Sequence, residues 1–128
     1  AEKLCGAVLV LSSHTEQPLV RRTLPEIGYH IVQEKLCQAA GRFYIFWRAE
    51  PGQADDWTAE EVHYGRLLWV QNPPKMLLDY CRYRIKVMAD RLTGLASAAG
   101  DVSQIRGEIS AEIDFYQRKI TELEGALC

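Results

Sequence analysis

The stretch GRFYIFWRAEPG, from Gly41 to Gly52, carries five large apolar or aromatic residues in a row. A strand that faces water on one side alternates apolar and polar residues with a period of two, whereas this segment stays apolar at successive positions. Gly41 in front and Pro51 with Gly52 behind are turn residues, and they bound the segment at a length typical of a strand. We therefore predict a short strand that is buried on both faces.

The sequence before this strand predicts the sheet to which it belongs. The apolar run from Ala7 to Leu11 is typical of a buried strand in a parallel sheet. Apolar residues then recur at helical spacing from Pro18 until Gly28, and His30 to Cys37 has the composition of a second strand. The order of strand, helix, strand and antiparallel return strand is how an open α/β sheet ends. We predict an α/β fold in which the Gly41 to Gly52 strand is inserted within the sheet.

From residue 72 onward the sequence has only helical patterns. Two apolar stripes with spacings of three and four predict two helices that zip into an antiparallel coiled-coil hairpin. The first stripe contains Leu77, Cys81, Ile85, Met88, Leu92 and Leu95. The second contains Val102, Ile105, Ile109, Ile113, Tyr116, Ile120, Leu123 and Leu127. We therefore divide the chain into an α/β part, residues 1–71, and a helical extension, residues 72–128.

Composition restricts the class of protein and its compartment. The 128 residues carry a net charge of -2, so nucleic-acid binding would have to rest on a local basic patch. No segment reaches the roughly 20 apolar residues that span a bilayer, and the N-terminus lacks the plan of a signal peptide, which favours a cytoplasmic protein without a membrane partner. The four cysteines are far apart, without a nearby histidine cluster, and this indicates free thiols and no metal site.

Five short patterns between Leu9 and Leu92 together resemble one family. They are Leu19-Val20-Arg21-Arg22 through Ile27-Gly28-Tyr29, Ile31-Val32-Gln33-Glu34-Lys35-Leu36, Gly41-Arg42-Phe43-Tyr44, Glu50-Pro51-Gly52 and Tyr64-Gly65-Arg66-Leu67. In order and spacing they are similar to the C-terminal half of the bacterial TrmK-type tRNA (adenine-N1)-methyltransferases, which use S-adenosylmethionine. The resemblance implies the end of a Rossmann-like class I methyltransferase sheet, followed by a coiled coil.

Departures from the family pattern are informative. Ser12, Ser13 and His14 stand where the family has a Gln-Pro-Asn turn, so the resemblance implies a substrate rim at these residues. Arg66 replaces the proline of the family's Tyr-Gly-Pro step, which led us to expect an altered rim there too. The glycine-rich turn and acidic residue that bind S-adenosylmethionine in class I methyltransferases have no counterpart in this sequence. We expect no cofactor binding by this chain alone, and we interpret it as a C-terminal piece of a larger enzyme or a derivative without the cofactor half.

The basic side of the first long helix is the candidate RNA contact. Lys75, Arg82, Lys86 and Arg91 are predicted to form one line along it, with Arg84 pointing elsewhere, whereas the second helix is acidic. The sequence supplies no recognisable catalytic residue. Three hypotheses remain: part of a tRNA methyltransferase that binds tRNA and pairs with a cofactor-binding half, a non-catalytic RNA- or protein-binding module, and a self-associating helical scaffold.

Overall fold

The computed structural model describes residues 8–13, 17–97 and 100–127. Within these ranges the chain forms two compact units, one ending at Asn72 and one beginning at Pro73. The regular elements of the first unit are β1 (Leu9–Ser13), α1 (Gln17–Glu26), β2 (Tyr29–Ala39), β3 (Arg42–Pro51), α2 (Ala59–Tyr64) and α3 (Leu68–Gln71). The second unit contains α4 (Pro74–Leu95) and α5 (Ser103–Leu127).

The first unit is a three-stranded sheet in the order β1-β3-β2. β3 is antiparallel to both neighbours, so β1 and β2 run in the same direction with the return strand inserted between them. The predicted α/β fold and the inserted antiparallel strand are therefore confirmed. A two-residue turn at Ala40 and Gly41, with φ values of 52° and 76°, joins β2 to β3, because that left-handed backbone matches the twist of a tight hairpin.

The burial of β3 differs from the prediction. Its residues alternate between buried and accessible, with Phe43, Ile45 and Trp47 on the buried face. Phe46, on the opposite face, is 39% exposed. The prediction of a strand buried on both faces is wrong, because the apolar run reflects one covered face and one face that carries aromatic side chains in partial contact with water.

The first strand also differs from its prediction. β1 begins at Leu9 and extends to Ser13, whereas the predicted strand ran from Ala7, which lies outside the described residues, to Leu11. It is an edge strand among the described strands, and its central residues are exposed rather than buried, Val10 at 68%. Leu9 packs at the margin of the core cluster of Leu24, Tyr29 and Ala49.

The second unit is an antiparallel pair of long helices. Pro74 lies in the first turn of α4, where its missing N–H costs nothing. Tyr80 of α4 and Tyr116 of α5 meet edge to face across the pair, with ring centroids 5.9 Å apart. The apolar stripes predicted from the sequence are only partly buried. The buried residues of this unit include Leu77, Leu78, Tyr80, Cys81, Met88, Ile109, Phe115 and Tyr116.

Candidate functional site

The residues predicted to form the substrate rim lie at the carboxyl end of β1. Ser12 is exposed and pairs in register with Phe46, and Ser13 is half-buried opposite Ile45. Ligands of open α/β sheets bind at this edge, where Ser12 and Ser13 place their hydroxyl groups. His14, the third predicted rim residue, lies outside the described residues.

A buried carboxylate joins three of the five family-like patterns. Glu34 of β2 is fully buried, and its Oε2 accepts hydrogen bonds from Arg21 Nε at 2.7 Å and from Trp47 Nε1 at 2.9 Å. Arg21 is also buried, at 1% exposure, and its Nη1 donates to the carbonyl of His63 at 3.2 Å. A buried charge is costly unless it is paired and hydrogen-bonded, and here both partners satisfy that condition.

The second oxygen of Glu34 orders the chain after α2. Its Oε1 accepts from three successive backbone N–H groups, those of Arg66, Leu67 and Leu68, at 3.0, 2.7 and 3.1 Å. These groups open the short helix α3, where backbone donors otherwise lack partners. The carboxylate therefore fixes the Tyr64-to-Leu68 step against β2.

Gly65 is required at this step by its backbone and its neighbours. Its φ is +106°, in the region that favours glycine, and an added Cβ would lie 2.9 Å from Arg21 Nη2. Gly65 precedes Arg66, the residue that stands where the family has proline. Because Arg21 of the buried ion pair lies so close, a side chain at position 65 would clash with it, which explains the glycine of the Tyr64-Gly65-Arg66-Leu67 pattern.

Arg66 contacts the buried carboxylate and the segment before α2. Its backbone N–H donates to Glu34, which a proline could not do, and its side chain forms ion pairs with Asp55 at 3.9 Å and Glu61 at 3.8 Å. The guanidinium also lies over the Trp57 ring, 5.9 Å from its centroid. These contacts place the Arg66 side chain against the segment from Asp55 to Glu61, and the expectation that it alters the rim stays a prediction.

Two side-chain amides cover the free edge of β2. Asn72 accepts from the backbone N–H of Leu36 at 2.8 Å and donates to the carbonyl of Glu34 at 2.8 Å. Gln71 accepts from the N–H of Glu34 at 2.9 Å and donates to the carbonyl of Val32 at 3.2 Å. The amides imitate a neighbouring strand and satisfy an edge that would otherwise invite pairing. The sequence analysis assigned no role to either residue.

Three of the four predicted RNA contacts share one stripe of α4. At about 100° per residue, Lys75, Arg82 and Lys86 fall within about 40° of one another around the helix. Arg91 lies five residues beyond Lys86, which is about 140° around the axis, so it does not continue the line. The prediction of a single line ending at Arg91 is wrong, because a spacing of five crosses to another side of the helix.

The three cations of this stripe differ in how far nearby carboxylates already neutralise them. Arg82 is within 3.9 Å of Asp79 and within 3.5 Å of Glu124 on α5, which partly neutralises it. Lys75 and Lys86 are exposed, and neither forms an ion pair with the residues that the structure describes. They are the better candidates for contact with an anionic partner.

Arg84 points towards α5 and not along the stripe of Lys75, Arg82 and Lys86, in agreement with the prediction that it points elsewhere on the helix. Its Nη2 lies 3.1 Å from Glu112 of α5, and both side chains are largely buried. Tyr116 lies beside them, and burial raises the pKa of its hydroxyl well above the usual value. This polar cluster joins the two helices through one of the acidic residues of α5.

The described residues include neither a metal-binding cluster nor a membrane-spanning helix. Among the described residues, no group of three or more His, Cys, Asp or Glu side chains is arranged to hold a metal ion. The helices in the same ranges include none with the length and apolar character needed to cross a bilayer.

Comparison with solved structures identifies the fold. The chain matches a Streptococcus pneumoniae protein assigned as a tRNA (m1A22) methyltransferase, with 20% identity over 88% of this chain and 49% of that one, at a TM-score of 0.69. The Bacillus subtilis m1A22 tRNA methyltransferase TrmK matches at 16% identity, 88% of this chain, 51% of that chain and a TM-score of 0.65. The chain shares the fold of about half of these TrmK-type methyltransferase structures. The resemblance found in the sequence is confirmed at the level of the fold.

The match covers only part of each solved structure. A Streptococcus agalactiae protein of the NADB-Rossmann superfamily gives a TM-score of 0.72 at 18% identity, covering 93% of this chain and 50% of that one. The chain thus spans about half the length of the structures it matches. The S. pneumoniae protein has also been solved in complex with S-adenosyl-L-methionine. No protein-family model matches the sequence, and no match is found among curated proteins.

Proposed function

We propose that this chain is the sheet-edge and RNA-binding part of an S-adenosylmethionine-dependent tRNA methyltransferase that acts on N1 of an adenine. The observation that carries the proposal is the β1-β3-β2 order with an antiparallel central strand, in a fold shared with tRNA (m1A22) methyltransferases over 88% of the chain. On this proposal residues 1–71 belong to the methyltransferase domain and residues 72–128 form the coiled-coil extension.

The cofactor is assigned to a different half of the enzyme. The sequence has no glycine-rich turn after a strand, which is the element that holds this class of cofactor. The edge strand β1 supports a pairing role, because Val10 within it and Val8 just before it are 68% and 52% exposed, and an apolar strand edge is a template for another strand. We assign that edge to a cofactor-binding half, with Ser12 and Ser13 at the rim facing the substrate.

Self-association through the same edge is the second candidate. The exposed apolar residues of β1 support it as well, since a second copy could pair there. Light scattering of the isolated chain separates the two: a dimer mass at tens of micromolar favours self-association, and a monomer mass removes it.

The RNA contact is assigned to the stripe of Lys75, Arg82 and Lys86. Each phosphate contact releases counterions, so the slope of log affinity against log salt decreases by about one for every contact removed. We expect the double change Lys75→Gln with Lys86→Gln to weaken tRNA binding and to reduce that slope by about two. Arg82→Gln should reduce it by less than one, because Asp79 and Glu124 already compete for its charge.

The matched control is Arg118→Gln with Lys119→Gln on α5. Both cations lie 5.6 Å from the Phe115 ring centroid, and glutamine keeps more of the stem that packs there than alanine would. The control removes the same formal charge, so an equal loss of tRNA affinity in the two double variants would reduce the stripe to a solvated surface and end the RNA part of the proposal. Fluorescence anisotropy of a labelled tRNA at several salt concentrations measures both quantities.

A further inference from the structure

A cavity in the first unit has no part in the proposed reaction. It has a volume of about 280 Å³ and lies among the end of α1, the start of β2 and the loop that follows β3. Its lining includes Arg22, His30, Asp55, Asp56, Trp57 and Val62. That volume is at the lower limit of the roughly 300–1,000 Å³ of small-molecule pockets, which suits a single base or nucleoside better than a long cofactor.

The cavity lies at the opposite end of the sheet from the predicted rim. Ser13 is level with Ile45 and Leu36, towards the carboxyl end of β2, whereas His30 is near its start. Six residues of strand separate Leu36 from His30, which corresponds to about 20 Å. A ligand in this cavity is therefore remote from the edge at which the proposed methyl transfer occurs.

Trp57 supplies an aromatic wall. It is half-buried and lines the cavity, and Arg66, which is not among the lining residues, lies over its ring. An indole held by a guanidinium on one side can stack a flat ligand on the other, and such stacking is worth about 1–3 kcal/mol per base. Pro25, Ile31, Ala54 and Val62 add apolar lining, and Arg21, whose guanidinium already donates to Glu34, also borders the cavity.

His30 supplies a hydrogen-bonding ring to the cavity lining. Its Nδ1 is buried without a hydrogen-bond partner, and the ring packs against Gly52, where an added Cβ would lie 3.1 Å from that nitrogen. A buried N–H without an acceptor is costly, which favours the tautomer with its proton on Nε2. The other edge of the ring is thus a donor available to a ligand carbonyl or ring nitrogen.

The charged residues of the cavity have both signs. Arg22 is exposed and can bind a phosphate group, whereas Asp56 can accept from an exocyclic amine. Asp55 is already within 3.9 Å of Arg66 and is 82% exposed, which weakens its attraction for a free cation. The combination suits a ligand with an anionic group, a flat ring and both donors and acceptors on that ring.

We propose that this cavity binds a purine nucleotide, with the base stacked on Trp57, its polar edge on His30 and Asp56, and its phosphate on Arg22. The ligand is either a free nucleoside monophosphate or an unpaired purine residue of an RNA. The site is independent of the methyltransferase proposal, since it uses none of the rim or α4 residues.

The test is titration of the full chain with AMP, followed by two-dimensional NMR of the backbone and of the tryptophan indole N–H signals. We expect saturable shifts at Trp57 and at residues 53–58, with Trp69 unchanged. Arg22→Gln should weaken AMP binding about tenfold, and Trp57→Leu should abolish the saturable shifts. Arg42→Gln, which removes an exposed arginine from the β2-β3 turn of the same unit, is the matched control and should leave the affinity unchanged.

The source of the ligand is decided by competition. A single-stranded hexamer of adenylate that displaces AMP and binds at least tenfold tighter identifies an unpaired RNA residue, whereas AMP binding without displacement identifies a free nucleotide. Either result supports a purine site. The proposal is overturned if AMP shifts no residue of the cavity, or if the Arg22 and Arg42 variants bind AMP equally well while both retain the urea midpoint of the parent chain.

Discussion

Replacing Glu34 with alanine removes the acceptor for five hydrogen bonds in the first unit. The donors left behind are the Arg21 guanidinium, the Trp47 indole and three successive backbone N–H groups. Arg21 is only 1% exposed, so water cannot replace the lost partner without opening the core. The substitution therefore tests whether the network that joins the family-like patterns stabilises the fold.

The magnitude follows from the burial of both charges. Removing one partner of a buried ion pair costs about 3–5 kcal/mol, because the other charge remains uncompensated. Unsatisfied backbone donors cost about 1–3 kcal/mol each, although such losses do not add fully. We expect Glu34→Ala to lower the free energy of unfolding by at least about 4 kcal/mol, a large share of the roughly 5–15 kcal/mol of an ordinary domain. Arg21→Ala should cost less, about 2 kcal/mol, because the carboxylate keeps four N–H donors.

Urea denaturation followed by tryptophan fluorescence measures this loss. All three tryptophans of the chain, Trp47, Trp57 and Trp69, belong to the first unit, so the signal reports on the unit that contains the network. The control is Glu26→Ala, an exposed carboxylate at the end of α1, for which we expect a change within about 0.5 kcal/mol. If Glu34→Ala destabilised the unit no more than Glu26→Ala, the structural account of the buried network would be wrong.

Two further predictions concern backbone geometry and thiol reactivity. Gly65→Ala should destabilise the first unit by about 2 kcal/mol, because its Cβ would meet Arg21 at 2.9 Å and its φ is +106°. Gly94→Ala, in the last turn of α4 where an added Cβ meets no atom within 4 Å, should stabilise the second unit by about 0.5 kcal/mol. Circular dichroism during thermal unfolding distinguishes these signs, and a stabilising Gly65→Ala would contradict the geometry. Burial raises the pKa of the Cys81 thiol to about 12, so about one molecule in ten thousand carries the Cys81 thiolate at pH 8. Because iodoacetamide reacts with the thiolate, it should label half-buried Cys37 much faster than buried Cys81. Peptide mass spectrometry that found equal labelling of the two cysteines in the folded chain would refute this.

The order of elements could be predicted from the sequence because it depends on local patterns. The turn residues Gly41 and Gly52 bounded β3. At the start of α2 the structure has a complete capping box between Thr58 and Glu61, which is likewise a local pattern of two residues three apart. Which face of β3 is covered could not be predicted, since Phe46 is as apolar as its buried neighbours. Solvent exposure there depends on what packs against the sheet, and this is a property of the tertiary structure.

The buried network was outside the reach of local reasoning for a physical reason. Glu34 binds groups that are 13 residues away at Arg21 and Trp47 and more than 30 residues away at Arg66. A carboxylate on the same strand face as buried Leu36 was the one signal that could have indicated a structural role. The sequence alone excludes Arg91 from the line of Lys75, Arg82 and Lys86, because helical geometry separates Arg91 from Lys86 by about 140°.

Photochemical cross-linking of the chain to an unmodified tRNA, with mass spectrometry of the linked peptides, tests the proposed RNA-binding role most directly. The account predicts cross-links in the α4 segment that contains Lys75 and Lys86, which disappear when both lysines are replaced by glutamine. Cross-links that remain in α4 after that replacement, or that occur only in the first unit, would contradict the assignment of tRNA binding to the helical extension.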